Sequence, residues 1–290
     1  MDKNWNLDKI IEAMRAGGYY DRIMSAGPEL DRVKTYLQIF AGEREEISTP
    51  PLQSPNYPCF PGIAAEPFYS GPAPEGVKTL EAEFETIRDE AMAVPKDAYL
   101  RYAPAKMDNN WYLYLLCHMG VDMSGISVAC PKTLEIIRGL PRLCVDYPWG
   151  DAALSLNVPN SHLKPHCSVD NLRLRCHLAI DIPEECAIRV GDEIRGWEAG
   201  KALLFDDSFE HEVWNRGSSD RVVMIVDFWH PELTDIEVRA LTAGFRKSEV
   251  RSLFHTARVY TADNSEAHIH YMKDAIARQD DDPLIREYWN

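Results

Sequence analysis

Two histidines and an arginine in the middle of the chain are the residues best able to do chemistry together. His166 sits in SHLKPHCS, His211 in FDDSFEHEVWN, and Arg221 opens RVVMIVDFWHPEL. Neutral imidazole is a good ligand for Fe, Zn, Cu or Ni, and two histidines on different strands of a small barrel can converge inside it. An arginine facing the same interior is destabilising to bury without an anion, so it calls for a bound carboxylate or phosphate. On strand alternation Arg221 shares a face with Val223 and Ile225, and His211 with Val213. That is a metal beside an anion clamp. The competing readings are hydrogen-bonded core histidines, and an Arg221 salt-bridged at a rim to Asp206 or Asp207.

These residues need strands to hold them. Over 172–180, Leu172, Leu174, Cys176, Leu178 and Ile180 alternate with Arg173, Arg175, His177 and Ala179, a period of two with one apolar face. Arg175 and His177 therefore point the same way. Arg173 shares their face nearer the strand start, where a solvated or substrate-entry role is expected. Further short strands are expected at 111–116, 187–190, 194–197, 202–205, 212–215 and 222–228, separated by Gly-, Asp- and Asn-containing turns. The pattern predicts an antiparallel barrel or jelly roll.

Helices flank it. Leu7, Ile10, Ile11 and Met14 lie at helical spacing before Gly17, and a second helix is expected from Pro28 to Gly42. Such short amphipathic helices must pack on the main domain or on another chain. Eight of the 19 prolines fall in 48–76, an irregular connector. Helices are also expected near 77–92 and 131–139. After Pro231, Thr234 and Glu237 are spaced as a capping box, with Ile236, Leu241 and Phe245 expected to be buried. Helices near 248–257 and 265–278 and a partly tethered tail complete the chain. The organisation expected is an N-terminal helical segment (1–47), a connector (48–76), the β domain (77–233) and a C-terminal helical extension (234–290).

Composition excludes several functions. The 290 residues carry 46 acidic and 31 basic side chains, a formal charge of −15, which repels nucleic-acid phosphates and anionic lipid. No apolar run reaches 18 residues, and the start lacks the basic-then-apolar pattern of a secretory signal. The seven cysteines form no CxxC pair and are read as reduced thiols. A cytoplasmic protein with neither nucleic-acid nor membrane partner is expected.

The strings RLRCHLAIDIP, IRVGDEIRGWEAGKALLFDDSFEHEVWN and RVVMIVDFWHPEL closely resemble the aspartyl/asparaginyl β-hydroxylases, over about 150–233 and more weakly over 58–150. The resemblance implies a mainly β fold, a double-stranded β-helix (jelly-roll, cupin-like) core with flanking helices at both ends. It implies an Fe(II)- and 2-oxoglutarate-dependent dioxygenase that uses O2 to hydroxylate an unactivated C–H bond, with succinate and CO2 as co-products. By that resemblance His166 and His211 are the iron ligands, and Arg221 pairs with the distal carboxylate of 2-oxoglutarate. Arg175 and His177 lie beside the co-substrate, and Ser155 and Trp111 fall at further co-substrate contacts. The substrate expected is an amino acid, a peptide or a natural-product intermediate. The terminal helices would form a homodimer or a substrate lid.

One position departs from the pattern. Most enzymes of this chemistry carry a carboxylate two residues after the first histidine, completing a facial triad. The family usually has glycine there, and this chain has Ser168. A serine hydroxyl cannot replace the charge, but it can hold water by hydrogen bonding. The vacancy leaves halogenation or oxidative cyclisation as alternative uses of the same iron, and a non-catalytic ligand-binding barrel as a further alternative. Asp206, Asp207 and Glu210 are read as loop-forming or supporting groups. His162, His230, His268 and His270 are read as ordinary, the last two on a surface helix.

Overall fold

A computed structural model describes residues 7–102, 110–255 and 265–289. Its strands are β1 (Leu100–Tyr102), β2 (Trp111–His118), β3 (Val121–Asp122), β4 (Asp151–Asn157), β5 (Ser161–His166), β6 (Arg173–Asp181), β7 (Cys186–Val190), β8 (Glu193–Arg195), β9 (Ala202–Phe205), β10 (His211–Asn215) and β11 (Arg221–Trp229). They form a seven-stranded sheet in the order β1-β2-β4-β11-β6-β9, with β3 on β2, and a four-stranded sheet in the order β5-β10-β7-β8. From β4 onward the chain passes repeatedly between the two sheets. Four strands of each (β4-β11-β6-β9 and β5-β10-β7-β8) interleave in sequence, which is a double-stranded β-helix.

All nine residues of β11 are buried, because this central strand is covered on both faces. Its outer side chains Val222, Met224, Val226 and Phe228 meet helices α4 (Glu75–Ala82), α5 (Phe84–Ala93) and α6 (Pro131–Arg138) through Leu80, Ile87 and Ile137. Its inner side chains Val223, Ile225 and Trp229 join a core that continues into the terminal helices. These are α1 (Leu7–Ala16), α2 (Tyr19–Met24) and α3 (Asp31–Phe40) at one end. At the other are α7 (Asp235–Arg246), α8 (Ser248–His255), α9 (Ser265–Ala277) and α10 (Pro283–Trp289). The apolar stripes of α1 and α3 thus join the barrel core, with α1 also packing on α8 and α3 on α7. Arg32 of α3 pairs with Glu237, which also closes the capping box with Thr234.

Several expectations are corrected. Ile236 is exposed, because it lies on the solvent side of α7, whereas Leu241 and Phe245 are fully buried. The C-terminal tail is a docked helix, with Ile285, Tyr288 and Trp289 buried. α2 has no counterpart among the expected elements. His268 is buried where α9 packs, while His270 is exposed. The helix expected at 248–257 is seen to His255, and its last two positions lie outside the described residues. The proline-rich connector lies against the barrel, bridging Gln53 to Phe209 and Phe68 to Phe205. All seven cysteines are free, and among the described residues no helix is long and apolar enough to cross a membrane.

Candidate functional site

His166 ends β5 and His211 begins β10, and the two are direct partners in the ladder. Their ring centroids are 4.2 Å apart. Each ring is fixed by a carbonyl two residues before it: Nδ1 of His166 lies 2.7 Å from the Lys164 oxygen and Nδ1 of His211 2.9 Å from the Phe209 oxygen. A carbonyl only accepts, so each Nδ1 carries the proton and each Nε2 presents a lone pair. Burial and the neighbouring His166 push the His211 pKa down to about 3. Burial also lowers that of His166. Both are therefore neutral, ligand-competent imidazoles at pH 7.

The second part is a buried cation. Arg221 is 1% exposed. Its Nη1 donates to Asn157 Oδ1 at 2.9 Å, its Nη2 meets His177 Nδ1 at 3.3 Å, and its guanidinium carbon lies 4.0 Å from the centre of the Trp197 ring. No carboxylate faces it among the described residues, and Arg221 Nε, Trp197 Nε1 and Asn157 Nδ2 are buried without partners. Burial pushes its pKa down to about 9, which leaves it charged at neutral pH. The arrangement is an anion site whose donors are already oriented. The rim pairing with Asp206 or Asp207 is not formed. Asp206 instead builds its loop, accepting from the Ser208 backbone and from Gln53.

His177 sits opposite Ile225 in the β6–β11 ladder, on the inner face. Burial, then Arg221 and Arg175, push its pKa well below the usual imidazole value. Because Nδ1 accepts from Arg221, the ring proton is on Nε2, free to donate. Ser155 is buried on β4, partner to Val223, and accepts from Trp111 Nε1 at 2.9 Å. The structure thus joins Trp111 to Ser155, and His177 to Arg221.

Arg173 and Arg175 belong to a third group. Arg173 is 1% exposed, not solvated as expected, because carboxylates from three separate segments meet it: Asp170 at 3.3 Å, Asp207 at 3.1 Å and Asp227 at 3.3 Å. Arg175 binds Asp227 through Nε at 2.9 Å and Nη2 at 2.8 Å, and Asp207 through Nη1 at 3.1 Å. Burial raises the Asp207 pKa, but Arg173 and Arg175, with smaller help from His211 and the Ser168 hydroxyl, bring it below its ordinary value. Asp207 is thus an anion, and its Oδ1 is buried without a hydrogen bond.

Asn157, Trp197, Asp207 as an anion beside the histidines, and Asp227 are the residues that sequence reasoning missed. Asn157 is the ladder partner of Arg221, a pairing that strand register alone would have supplied.

A family model described as aspartyl/asparaginyl beta-hydroxylase matches residues 81–231. The chain belongs to the aspartyl/asparaginyl β-hydroxylase family. It is 38% identical over 191 residues to the human aspartyl/asparaginyl beta-hydroxylase, covering 63% of this chain and 25% of that one. It is 32% identical over 222 residues to aspartate beta-hydroxylase domain-containing protein 2 of Xenopus tropicalis, covering 72% of this chain and 60% of that one. With the human domain-containing protein 1 the identity is 33% over 244 residues, covering 81% and 62%. The chain thus spans about a quarter of the human β-hydroxylase and about three fifths of the two domain-containing proteins.

For a β-hydroxylase-family barrel, the donor set fits a divalent metal of borderline softness. Two neutral nitrogens face one another, and an anionic carboxylate with a free oxygen acts electrostatically on both. Among the described residues no three of His, Cys, Asp and Glu form one metal-holding cluster, so Asp207 is not counted as a third ligand.

Proposed function

We propose that this protein is an Fe(II)- and 2-oxoglutarate-dependent hydroxylase. The observation that carries the reading is Arg221, a buried guanidinium without a carboxylate, in the same barrel as two neutral histidines with free Nε2 atoms. Its empty partner position fits the distal carboxylate of 2-oxoglutarate, whose keto-acid end would reach a metal held by His166 and His211.

The bound iron would supply the oxidising chemistry, using O2 and decarboxylating the co-substrate to succinate. The chain's own residues bind and orient. Arg221 and Asn157 grip the distal carboxylate, and Trp197 covers the guanidinium and helps exclude water. His177 donates from Nε2 to a co-substrate oxygen. Ser155 and Trp111, already joined, present a polar edge to the same chamber. Arg175 is occupied by Asp227 and Asp207 and acts by fixing Asp207 and by its charge. The substrate is an amino acid, a peptide or a natural-product intermediate bearing an unactivated C–H bond. Hydroxylation ranks above halogenation because the Asp207 anion beside the histidines opposes a bound halide.

The test is anaerobic addition of Fe(II) and 2-oxoglutarate, read as the visible charge-transfer band of the chelate. The band should appear in the wild type, vanish in His211→Ala and weaken strongly in Arg221→Ala. No band in metal-loaded wild type would sink the reading and move a ligand-binding barrel to the front.

A further inference from the structure

Asp170 lies in the turn between β5 and β6 and is fully buried. Three donors meet it: Arg173 Nη1 at 3.3 Å and the Leu172 backbone N–H at 3.1 Å on Oδ1, and the Tyr147 hydroxyl at 2.8 Å on Oδ2. Burial raises its pKa, and those three donors act against the rise. Asp207 and Asp227 are each shared between Arg173 and Arg175. Among the described ion pairs Asp170 meets Arg173 and not Arg175. Two guanidinium groups thus face three buried carboxylates, and Asp170 is the one in excess. Arg173 also reaches the segment after the first histidine, where its Nη2 donates to the Ser168 hydroxyl.

We propose that Asp170 is a specificity-determining residue that occupies Arg173 from within the chain, so that the substrate brings an uncharged group to the site: an amide-linked residue or a natural-product intermediate, not an acidic side chain or a free amino acid. The inference rests on the hydroxylase reading above and narrows its substrate. A carboxylate leaving water needs a cation or several donors to hold it. β6 and β11 carry three arginines in this region, and each is committed. Arg221 takes the co-substrate in that reading, and Arg173 and Arg175 hold Asp170, Asp207 and Asp227. A substrate carboxylate would be a fourth beside two cations, and like charges so placed oppose one another. An amide or hydroxyl group loses less on burial and is satisfied by neutral hydrogen bonds. If Asp170 were a structural anchor alone, its replacement would lower stability without changing which ligand is preferred.

The experiment loads the full chain anaerobically with Fe(II) and saturating 2-oxoglutarate, then titrates two probes and follows the shift of the visible band. The probes are aspartate and asparagine, each acetylated at the amine and N-methylamidated at the carboxyl, so that they differ in one carboxylate. The wild type should show no response to the aspartate probe at millimolar concentration. Asp170→Ser keeps an acceptor for the Leu172 amide and vacates Arg173 Nη1, so it should bind the aspartate probe about 10-fold or more tightly than the wild type, the ratio expected of one recovered charge-assisted hydrogen bond. Asp170→Asn, which keeps the shape and removes the charge, should gain less. The band itself reports that each variant is folded. Wild type that binds the aspartate probe as well as the asparagine probe overturns the inference, as does a failure of both variants to gain affinity for the aspartate probe while keeping the band. Either result leaves the hydroxylase reading standing, whereas a wild type that forms no band overturns that reading and this inference with it.

Discussion

His166 and His211 face one another across the β5–β10 ladder, each with its Nδ1 proton committed to a carbonyl of its own strand segment. Burial lowers both imidazole pKa values and leaves the His211 Nε2 lone pair unprotonated far into acid. Since the folded pKa of His211 is near 3 and an unfolded histidine titrates near 6.5, the unfolded chain binds the extra proton first. Stability from this residue is fully present above about pH 6.5 and is lost progressively as pH falls toward 3. Denaturant unfolding of metal-free wild type and His211→Gln should therefore converge on acidification. A stability gap that stays constant from pH 7 to pH 4 would contradict the buried neutral imidazole.

Arg221 gives the opposite signature, because its charge is present without a carboxylate. Replacing it by methionine removes a desolvated cation and keeps the volume, which is neutral or stabilising by about 1–4 kcal/mol in comparable sites. Arg221→Met should thus melt no lower than wild type without co-substrate. Wild type should gain about 2.7 kcal/mol when 2-oxoglutarate reaches 100 times its Kd, and the variant should gain almost none. Equal thermal stabilisation of the two proteins would remove Arg221 from the anion site.

Much of this was legible in the sequence, and the failures have a common cause. Period-two alternation in 172–180 placed Arg175 and His177 on one face, and it placed Arg221 with Val223 and Ile225, because register within a strand is a local property. The fate of Arg173 is not local. Alternation shows which side it faces, but Asp170, Asp207 and Asp227 reach it from a loop, a turn and a different strand. Trp197 was similarly hidden. It lies between β8 and β9, and only folding of the small sheet over the large one lays it on Arg221. The helical tail was misread because QDDDPLIREYWN is polar by composition, while its three buried residues find their partners on α2 and α7.

The Arg173–Arg175 cluster predicts a strong stability effect away from the metal ligands. Asp227 accepts from both guanidinium groups and from the Asp151 backbone N–H at 2.9 Å. Asp227→Ala takes one carboxylate from two buried cations, leaves Asp207 as the carboxylate they share, and strips an amide of its acceptor, so it should destabilise by about 3–5 kcal/mol. Asp227→Asn, which keeps the shape and one acceptor, should lose less. Urea unfolding checks both. A change of under about 1 kcal/mol in Asp227→Ala, the level of an exposed pair, would show that the cluster is solvated.

The terminal helices meet at one close approach. Tyr19 of α2 donates to the Ala240 carbonyl at 2.8 Å, Trp289 stacks on it at 5.2 Å and donates to the Ala243 carbonyl at 2.8 Å, and Gly244 lies directly against the Tyr19 ring. A methyl group at position 244 would run into that ring, which is fully buried and held by its own hydrogen bond. Gly244→Ala should therefore destabilise the chain by about 1–3 kcal/mol, the usual effect of overpacking, even though alanine is the better helix former by about 1 kcal/mol. The helices share one core with the inner face of the large sheet, so the loss should appear as a lower Tm of a single transition. A separate early transition in Gly244→Ala would instead mean that the terminal helices melt as a unit apart from the barrel.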